Sequence, residues 1–212
     1  MNRVTFLIDG FNLYHSVRVA ARQLKVNSVK WLDISKLSSS YIYLLGKDAV
    51  LEEIYYFSAL AKHLDQYDPG KVKRHENYIR CLQATGIKIE LASFKRKQIL
   101  CPHCHQSITR YEEKETDVAI SVKMLELFTL DMCDTVVLVT GDTDVVPAIH
   151  LAKKLFPQKT IGCAFPHSRK NFKISQSVHI PFKISAKQYL NHQFPDPVRF
   201  DDGTIINKPP NW

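Results

Sequence analysis

The hydrophobic and polar positions of the chain follow two alternating repeats, one typical of strands and the other of helices. Runs of β-branched and aliphatic residues predict strands at residues 3–8, 51–59, 87–91, 136–139, 160–165 and 178–180. Helical spacing of apolar residues predicts helices at 13–24, 33–45, 71–84, 113–130, 145–156 and 168–176. Strands that alternate with helices indicate a Rossmann-like α/β fold, a mostly parallel sheet with helices on both faces.

The length of 212 residues suits one such domain, predicted at residues 1–182. Within it, residues 95–112 interrupt the alternation and are predicted as a small insertion. Residues 183–212, with prolines and polar positions, are predicted as an extended C-terminal extension that packs on the domain. No apolar run approaches the length of a membrane span, and no signal peptide is recognisable. Five cysteines, an odd number, favour a reduced, cytoplasmic protein over a disulfide framework.

The charge distribution indicates a polyanionic partner. Twenty-nine Lys and Arg residues against 21 Asp and Glu residues give a net charge of +8. The stretch 145–195 contains no acidic residue, and a second basic region covers residues 71–97. A surface of this kind is expected to bind a nucleic acid backbone.

Acidic residues lie where predicted strands end. Asp9 ends the first strand, Asp142 and Asp144 follow strand 136–139, and Asp117 lies in the first turn of a predicted helix. If the strands are neighbours, these carboxylates converge at the carboxyl edge of the sheet, where α/β proteins bind ligands. Converging carboxylates repel one another, and oxygen ligands suit Mg²⁺ or Mn²⁺. The sequence therefore predicts a divalent metal site.

The alternative for Asp142, Asp144 and Asp117 is a purely structural role at a helix N-terminus. Asp142 and Asp144 both precede a predicted helix, whose free N–H groups a carboxylate can cap. We expect capping more for Asp144, because Asp142 lies nearer the strand end. Asp117 could likewise serve only as a partner of the helix dipole.

Cys101 and Cys104 form a Cys-x-x-Cys knuckle in the predicted insertion. Two cysteines at this spacing are half of a tetrahedral Zn²⁺ site. Candidates for the other half are His103, His105, His75 and Cys81. The alternative is a knuckle-shaped turn that holds no metal.

An acidic metal pocket within a basic protein suits the cleavage of a phosphodiester bond, with a metal-activated water and lysines on the backbone. The Asp-x-Asp at residues 142–144 also resembles haloacid dehalogenase-like phosphatases. Such enzymes need a downstream acidic pair, whereas here no acid follows until Asp196. A phosphatase is therefore disfavoured.

Three motifs resemble the NYN domain, a family of the PIN-like nuclease group that includes bacterial LabA-like proteins. They are Ile-Asp-Gly-Phe-Asn at residues 8–12, Glu-Lys-x-x-Asp-Val at 113–118 and Thr-Gly-Asp-Thr-Asp at 140–144. The resemblance covers residues 3–180 and implies a PIN-like fold with metal-dependent RNA cleavage. It also implies site residues: metal ligands Asp9, Asp117 and Asp142, and supporting or water-orienting groups Asn12 and Asp144.

The resemblance extends to RNA contacts. By position, Thr140 and Lys114 are expected near phosphate, although Lys114 could instead pair with Glu113 on the surface. Arg169, Lys170 and Lys173, in the acid-free stretch, are predicted to bind RNA. A single strand is expected, because an unstacked strand can bend its phosphate down to a recessed metal. The alternative function is a non-catalytic RNA-binding or regulatory module, and a homo-oligomer is left open.

Overall fold

In the computed structural model, which describes residues 1–210 and 212, a seven-stranded sheet carries helices on both faces. Its strands are β1 (Asn2–Asp9), β2 (Ala49–Ala59), β3 (Lys88–Leu100), β4 (Ser107–Lys114), β5 (Thr135–Val139), β6 (Thr160–Phe165) and β7 (Ile180–Lys183). The helices are α1 (Gly10–Leu24), α2 (Ile34–Ser39), α3 (Lys71–Ala84), α4 (Thr116–Thr129), α5 (Val146–Leu155), α6 (Phe172–Ser177) and α7 (Ala186–Asn191). A separate hairpin joins β8 (Val198–Arg199) to β9 (Ile205–Ile206).

The strand order places β1 at the centre of the molecule. The order is β4-β3-β2-β1-β5-β6-β7, and every neighbouring pair is parallel except β3 with β4. Ile8 pairs with Val139 of β5, so both strands end side by side. The chain order reverses between β1 and β5, which makes this the switch point where α/β sheets bind ligands. The predicted Rossmann-like α/β fold is confirmed.

Each face of the sheet carries its own hydrophobic core, as the alternation of side chains along β1 requires. Phe6 and Ile8 pack into a core formed with α1, α2, α3 and α7. Leu7 points to the opposite face and packs with α4, α5 and α6. Both faces of the central strands are thus covered, which explains their continuous hydrophobic runs.

The predicted insertion at residues 95–112 is part of the sheet. β3 continues to Leu100 and pairs antiparallel with β4, from Ser93 opposite Lys114 to Leu100 opposite Ser107. The part of β3 beyond residue 91 and the whole of β4 were not predicted, because most of their side chains are exposed and many are charged, so no apolar face marks them. The two cysteines lie at the tip of this hairpin.

Other element boundaries differ from the prediction. The predicted helix 168–176 begins only at Phe172, because Asn171 caps it by accepting hydrogen bonds from the amides of Lys173 and Ile174. The predicted strand 178–180 lies later, at Ile180–Lys183. The predicted helix 33–45 is split into α2 and a 3-10 turn, Ile42–Leu45.

Residues 183–212 were predicted to be extended, but they include α7. Tyr189 is fully buried, and its hydroxyl contacts the Ser16 hydroxyl at 2.8 Å and accepts from the His167 amide at 3.1 Å. The boundary at residue 183 stays a prediction. Within the described residues, no helix combines the length and apolar character needed to cross a membrane.

Candidate active site at the carboxyl edge of the sheet

Asp9 joins the ends of β1 and β5 through its carboxylate. As N-cap of α1, it accepts a hydrogen bond from the Asn12 amide through Oδ1 at 2.9 Å. Its Oδ2 accepts from the Thr140 hydroxyl at 2.8 Å. The Asn12 side-chain oxygen in turn accepts from the Gly141 amide at 3.1 Å. Three of the predicted site residues therefore form one hydrogen-bonded group at the switch point.

The two aspartates after β5 have different roles. Asp142 donates its amide to the Thr140 hydroxyl at 3.1 Å and accepts from the Asp144 amide through Oδ1 at the same distance. Asp142 thereby caps the 3-10 turn Thr143–Val145, whereas Asp144 is exposed. The expectation that capping would fall mainly to Asp144 is therefore wrong. The reason is that the chain begins to coil one residue after Asp142, before α5 itself begins.

Asp117 brings a further carboxylate to this edge from α4. The helix start is held by Glu113, whose Oε1 accepts from the Thr116 amide at 3.2 Å and also contacts the Thr116 hydroxyl. Burial raises the pKa of Asp117 to about 6, and the negative charges of Asp9 and Asp142 contribute to that rise. Asp117 therefore lies within electrostatic reach of the same acidic residues that the sequence associated with it.

Together these side chains form an acidic centre, defined as Asp9, Asp117, Asp142 and Asp144. Burial also raises the pKa of Asp9, against the hydrogen bonds from Asn12 and Thr140 that lower it. Among the described residues, no three His, Cys, Asp or Glu side chains are already arranged to hold a metal ion. The donor set fits a hard cation chemically, because it offers oxygen atoms and its negative charges are mutually unfavourable.

The side chains predicted to contact RNA have different surroundings. The backbone of Arg169 packs against the turn after β5, because a Cβ added at Gly141 would lie 2.2 Å from the Arg169 carbonyl oxygen. Lys170 and Lys173 follow it and are exposed. Lys114 pairs with Glu112 at 3.0 Å, so the alternative that named Glu113 as its partner is wrong. The reason is the hairpin, in which side chains two residues apart lie on one face.

The Cys-x-x-Cys tip has the local geometry of a knuckle. Hydrogen bonds from the amides of Cys104 and His103 lower the pKa of the Cys101 thiol, which favours the thiolate that binds metals. Cys81 is excluded as a partner ligand, because it is fully buried in the core and burial raises its pKa to about 11. His75 lies on α3, where it lines a cavity with other α3 residues.

Sequence reasoning missed that cavity of about 380 Å³, which lies next to the acidic centre between α1 and α3. Its lining includes Phe11, Lys30 and Phe94, which come from three separate parts of the chain. The available signals were Phe11, an aromatic residue between Asp9 and Asn12 of the first motif, and the basic region 71–97, which contains Lys71 and Arg74 of the lining. Side chains so far apart in sequence carry no shared pattern.

The fold and the acidic centre define a class: an α/β protein of the PIN-like type, with acids gathered at the switch point of a mostly parallel sheet. The chain belongs to the NYN domain family, whose model matches residues 3–182. NYN domains are a PIN-like nuclease family, which supports a function related to RNA.

The fold is also similar to that of a protein of unknown function from Vibrio parahaemolyticus, known from a crystal structure. The TM-score is 0.57 at 15% sequence identity, and the match covers 87% of this chain and 93% of that chain. At this identity the likeness concerns the fold alone. A search among curated proteins finds no match.

Proposed function

We propose that the protein is a metal-dependent endoribonuclease that hydrolyses phosphodiester bonds of single-stranded RNA at the acidic centre. The observation that carries this proposal is the hydrogen-bonded group of Asp9, Asn12 and Thr140 at the switch point of the sheet, to which the turn of Asp142 is also bonded. The Asp117 carboxylate is partly buried near these acids, which raises its pKa and is unfavourable unless a cation offsets the charge. Membership of the NYN family, a PIN-like nuclease family, also supports this proposal.

In this proposal Asp9, Asp117 and Asp142 hold one or more Mg²⁺ or Mn²⁺ ions. When bound, the metal supplies an activated water and a positive charge beside the phosphate. Asn12 and Thr140 fix the Asp9 carboxylate and the turn after β5 through the hydrogen bonds described above. Asp144, whose side chain is exposed, would orient water.

The direct test is cleavage of an internally labelled single-stranded RNA by the purified protein with Mg²⁺, with Mn²⁺ and with EDTA. Products are expected with either metal and none with EDTA. Retained binding without cleavage at any metal concentration would instead favour the non-catalytic RNA-binding module. A comparison with the same sequence as a duplex tests the expectation of a single strand.

The negative charge of Asp117 should lower the stability of the metal-free protein. The folded pKa of about 6 lies above the ordinary 3.8, so the folded state binds this proton more tightly than the unfolded state. The stability of the metal-free protein should therefore fall as the pH rises from about 4 through 6. Asp117→Asn should remove this pH-dependent loss of stability. The loss amounts to about 1 kcal/mol of unfolding free energy after allowance for solvent screening, or roughly 2–4 °C in Tm.

The measurement is thermal unfolding in EDTA at pH 4.5 and pH 7, for the wild type and Asp117→Asn. Asp65→Asn, at an exposed position outside the acidic centre, is the control and should follow the wild type. Mn²⁺ should raise the Tm of the wild type and leave that of Asp117→Asn nearly unchanged. Equal pH profiles and equal metal responses for wild type and Asp117→Asn would count against the metal site.

Three cations after β6, the partly exposed Arg169 and the exposed Lys170 and Lys173, are expected to hold the RNA backbone. Replacing Arg169, Lys170 and Lys173 together with alanine should weaken binding and reduce the slope of log Kd against log salt by about 2–3. The control replaces an equal number of cations near the opposite, amino edge of the sheet: Arg22, Lys47 and Lys154. Equal salt dependence of both triple variants would show that the first group is an ordinary solvated surface.

Cys101 and Cys104 are proposed to bind a structural Zn²⁺ ion with two further ligands, His103 and His105 being the nearest in sequence. Elemental analysis of protein purified without chelator should show about one zinc ion per chain. With four protein ligands the ion would have no position free for water, so its role would be structural. The Cys101→Ser, Cys104→Ser double variant should carry none. Absence of zinc from the wild type would leave the alternative, a metal-free turn.

A further inference from the structure

The cavity shares its wall with the segment that follows Asp9. Gly10 and Phe11, which directly follow Asp9, form the border between the two. Gly10 allows the close approach: a Cβ there would lie 2.8 Å from the Tyr56 phenol oxygen, which lines the cavity, and 2.5 Å from the Phe57 carbonyl oxygen. The chain that leaves Asp9 therefore forms part of the cavity wall, which brings the cavity close to the acidic centre.

The size and the walls of the cavity suit one planar aromatic ring. About 380 Å³ is near the lower end of the range of roughly 300–1,000 Å³ for small-ligand sites. On one side, Phe11 and Phe94 meet edge to face with 5.7 Å between ring centroids, and His63 packs on Phe94 at 4.7 Å. Tyr14, Tyr56, Tyr78 and Trp212 also contribute aromatic rings to the lining. Nucleobases stack on such side chains whatever their sequence.

The polar lining of the cavity is mainly cationic. Lys30, Lys71 and Arg74 face it, and one carboxylate, Asp68, pairs with Arg74 at 2.6 Å. Burial lowers the pKa of Lys30, and the charges of Arg18, Arg74 and Lys71 lower it further, so these cations repel one another. A phosphate group would relieve that repulsion, as the metal would relieve the repulsion at the acidic centre.

We infer that this cavity binds one unstacked nucleobase of the RNA strand, adjacent to the cleaved bond, with Lys30, Lys71 and Arg74 around its flanking phosphate. The inference rests on the proposed function for the identity of the strand. It adds a reason for single-strand preference, because a base in a duplex would have to leave its stack to enter. It also predicts that the cleavage position is fixed relative to this base.

Binding without chemistry tests the inference, with a short 5′-fluorescein-labelled single-stranded RNA measured by anisotropy in EDTA. Lys71→Ala should weaken binding about three- to tenfold, and Lys73→Ala, on the same helix but exposed outside the cavity, less than twofold. Phe94→Ala should weaken binding about tenfold, whereas Tyr43→Ala, an exposed aromatic elsewhere, should not. Circular dichroism checks the fold of each variant.

Ala61→Leu is a second test of the cavity, because the larger side chain narrows the cavity without removing a contact. Its result does not depend on how Phe94 packs. It should also weaken binding of the strand. Wild-type affinity in Lys71→Ala, Phe94→Ala and Ala61→Leu alike would overturn the inference. So would a free 5′-mononucleotide that binds as tightly as the strand, since the cavity would then serve a free nucleotide.

The inference and the proposed function fail in different ways. Failure of the inference alone leaves metal-dependent cleavage intact in all three cavity variants, with unchanged binding. Failure of the proposed function leaves no cleavage by the wild type, while the loss of binding in EDTA still supports the cavity as a nucleobase site.

Discussion

Asparagine in place of Asp9 is expected to lower the rate of RNA cleavage by more than about 100-fold, because loss of even an indirect partner of a metal ligand costs 10- to 100-fold. The fold should survive. Asparagine is among the best helix N-caps, so it can still accept the hydrogen bond from the Asn12 amide. RNA binding in EDTA should remain close to that of the wild type, since no backbone cation is removed.

Asp33 supplies a closely matched control for this substitution. It is also a buried N-cap aspartate, 2% exposed, and its Oδ1 accepts from the Lys36 amide at 3.0 Å, but it caps α2 outside the acidic centre. Asp33→Asn should therefore leave cleavage unchanged. If Asp9→Asn cleaves RNA at the wild-type rate, the acidic centre is not the site of hydrolysis.

Alanine in place of Gly141 is expected to lower the free energy of unfolding by about 2–3 kcal/mol, with a fall in Tm of roughly 5–10 °C. The new Cβ would lie 2.2 Å from the Arg169 carbonyl oxygen and 3.0 Å from the Arg169 Cβ. One contact is to backbone, so a side-chain rotation cannot relieve it. The segment that carries Arg169 would have to move away from the acidic centre, and RNA affinity should fall too.

Gly162→Ala is the control, because its new Cβ would make contacts no closer than 3.4 Å, to Ile180 and Val137. We expect it to cost less than about 1 kcal/mol. Thermal unfolding measures both variants, and anisotropy measures their RNA affinity. Equal stability of the two alanine variants would mean that the loop of Arg169 does not press on the β5 turn.

The sequence predicted the acidic centre because the sheet itself creates it. Residues at the carboxyl ends of parallel strands share one edge, so Asp9 and Asp142 could be placed together once their strands were recognised. Asp117 could be assigned to the same centre because it lies at the start of a predicted helix. The capping role was misassigned because it depends on where the backbone first coils, and a 3-10 turn of three residues leaves no periodic signal.

The cavity and the hairpin could not be predicted in the same way. Phe11, Lys30, Lys71 and Phe94 come from four separate segments and meet only in the folded chain, so the basic character of residues 71–97 was visible in the sequence but the cavity was not. Only the start of β3, within residues 87–91, was predicted as a strand, because the rest of β3 and β4 have largely exposed side chains that hydrophobic alternation does not mark. Nor do all the apolar side chains of α4 face the core, because Val118 and Val122 are 66% and 58% exposed.

The two functions of Asp9 bear on how such a chain would change over evolutionary time. Asp9 caps α1 and ties the end of β1 to Thr140 after β5, so selection for folding alone would keep a capping residue, Asp or Asn, at this position. Burial makes the charges of Asp9 and Asp117 both unfavourable to the metal-free fold. The hydrogen bonds from Asn12 and Thr140 offset part of this cost at Asp9, whereas burial and the acidic neighbours act in the same direction at Asp117. Under the proposed function, a lineage that lost catalysis would therefore gain stability by replacing Asp117. The acid at position 117, more than a capping residue at position 9, would then distinguish an active relative from a degenerate one.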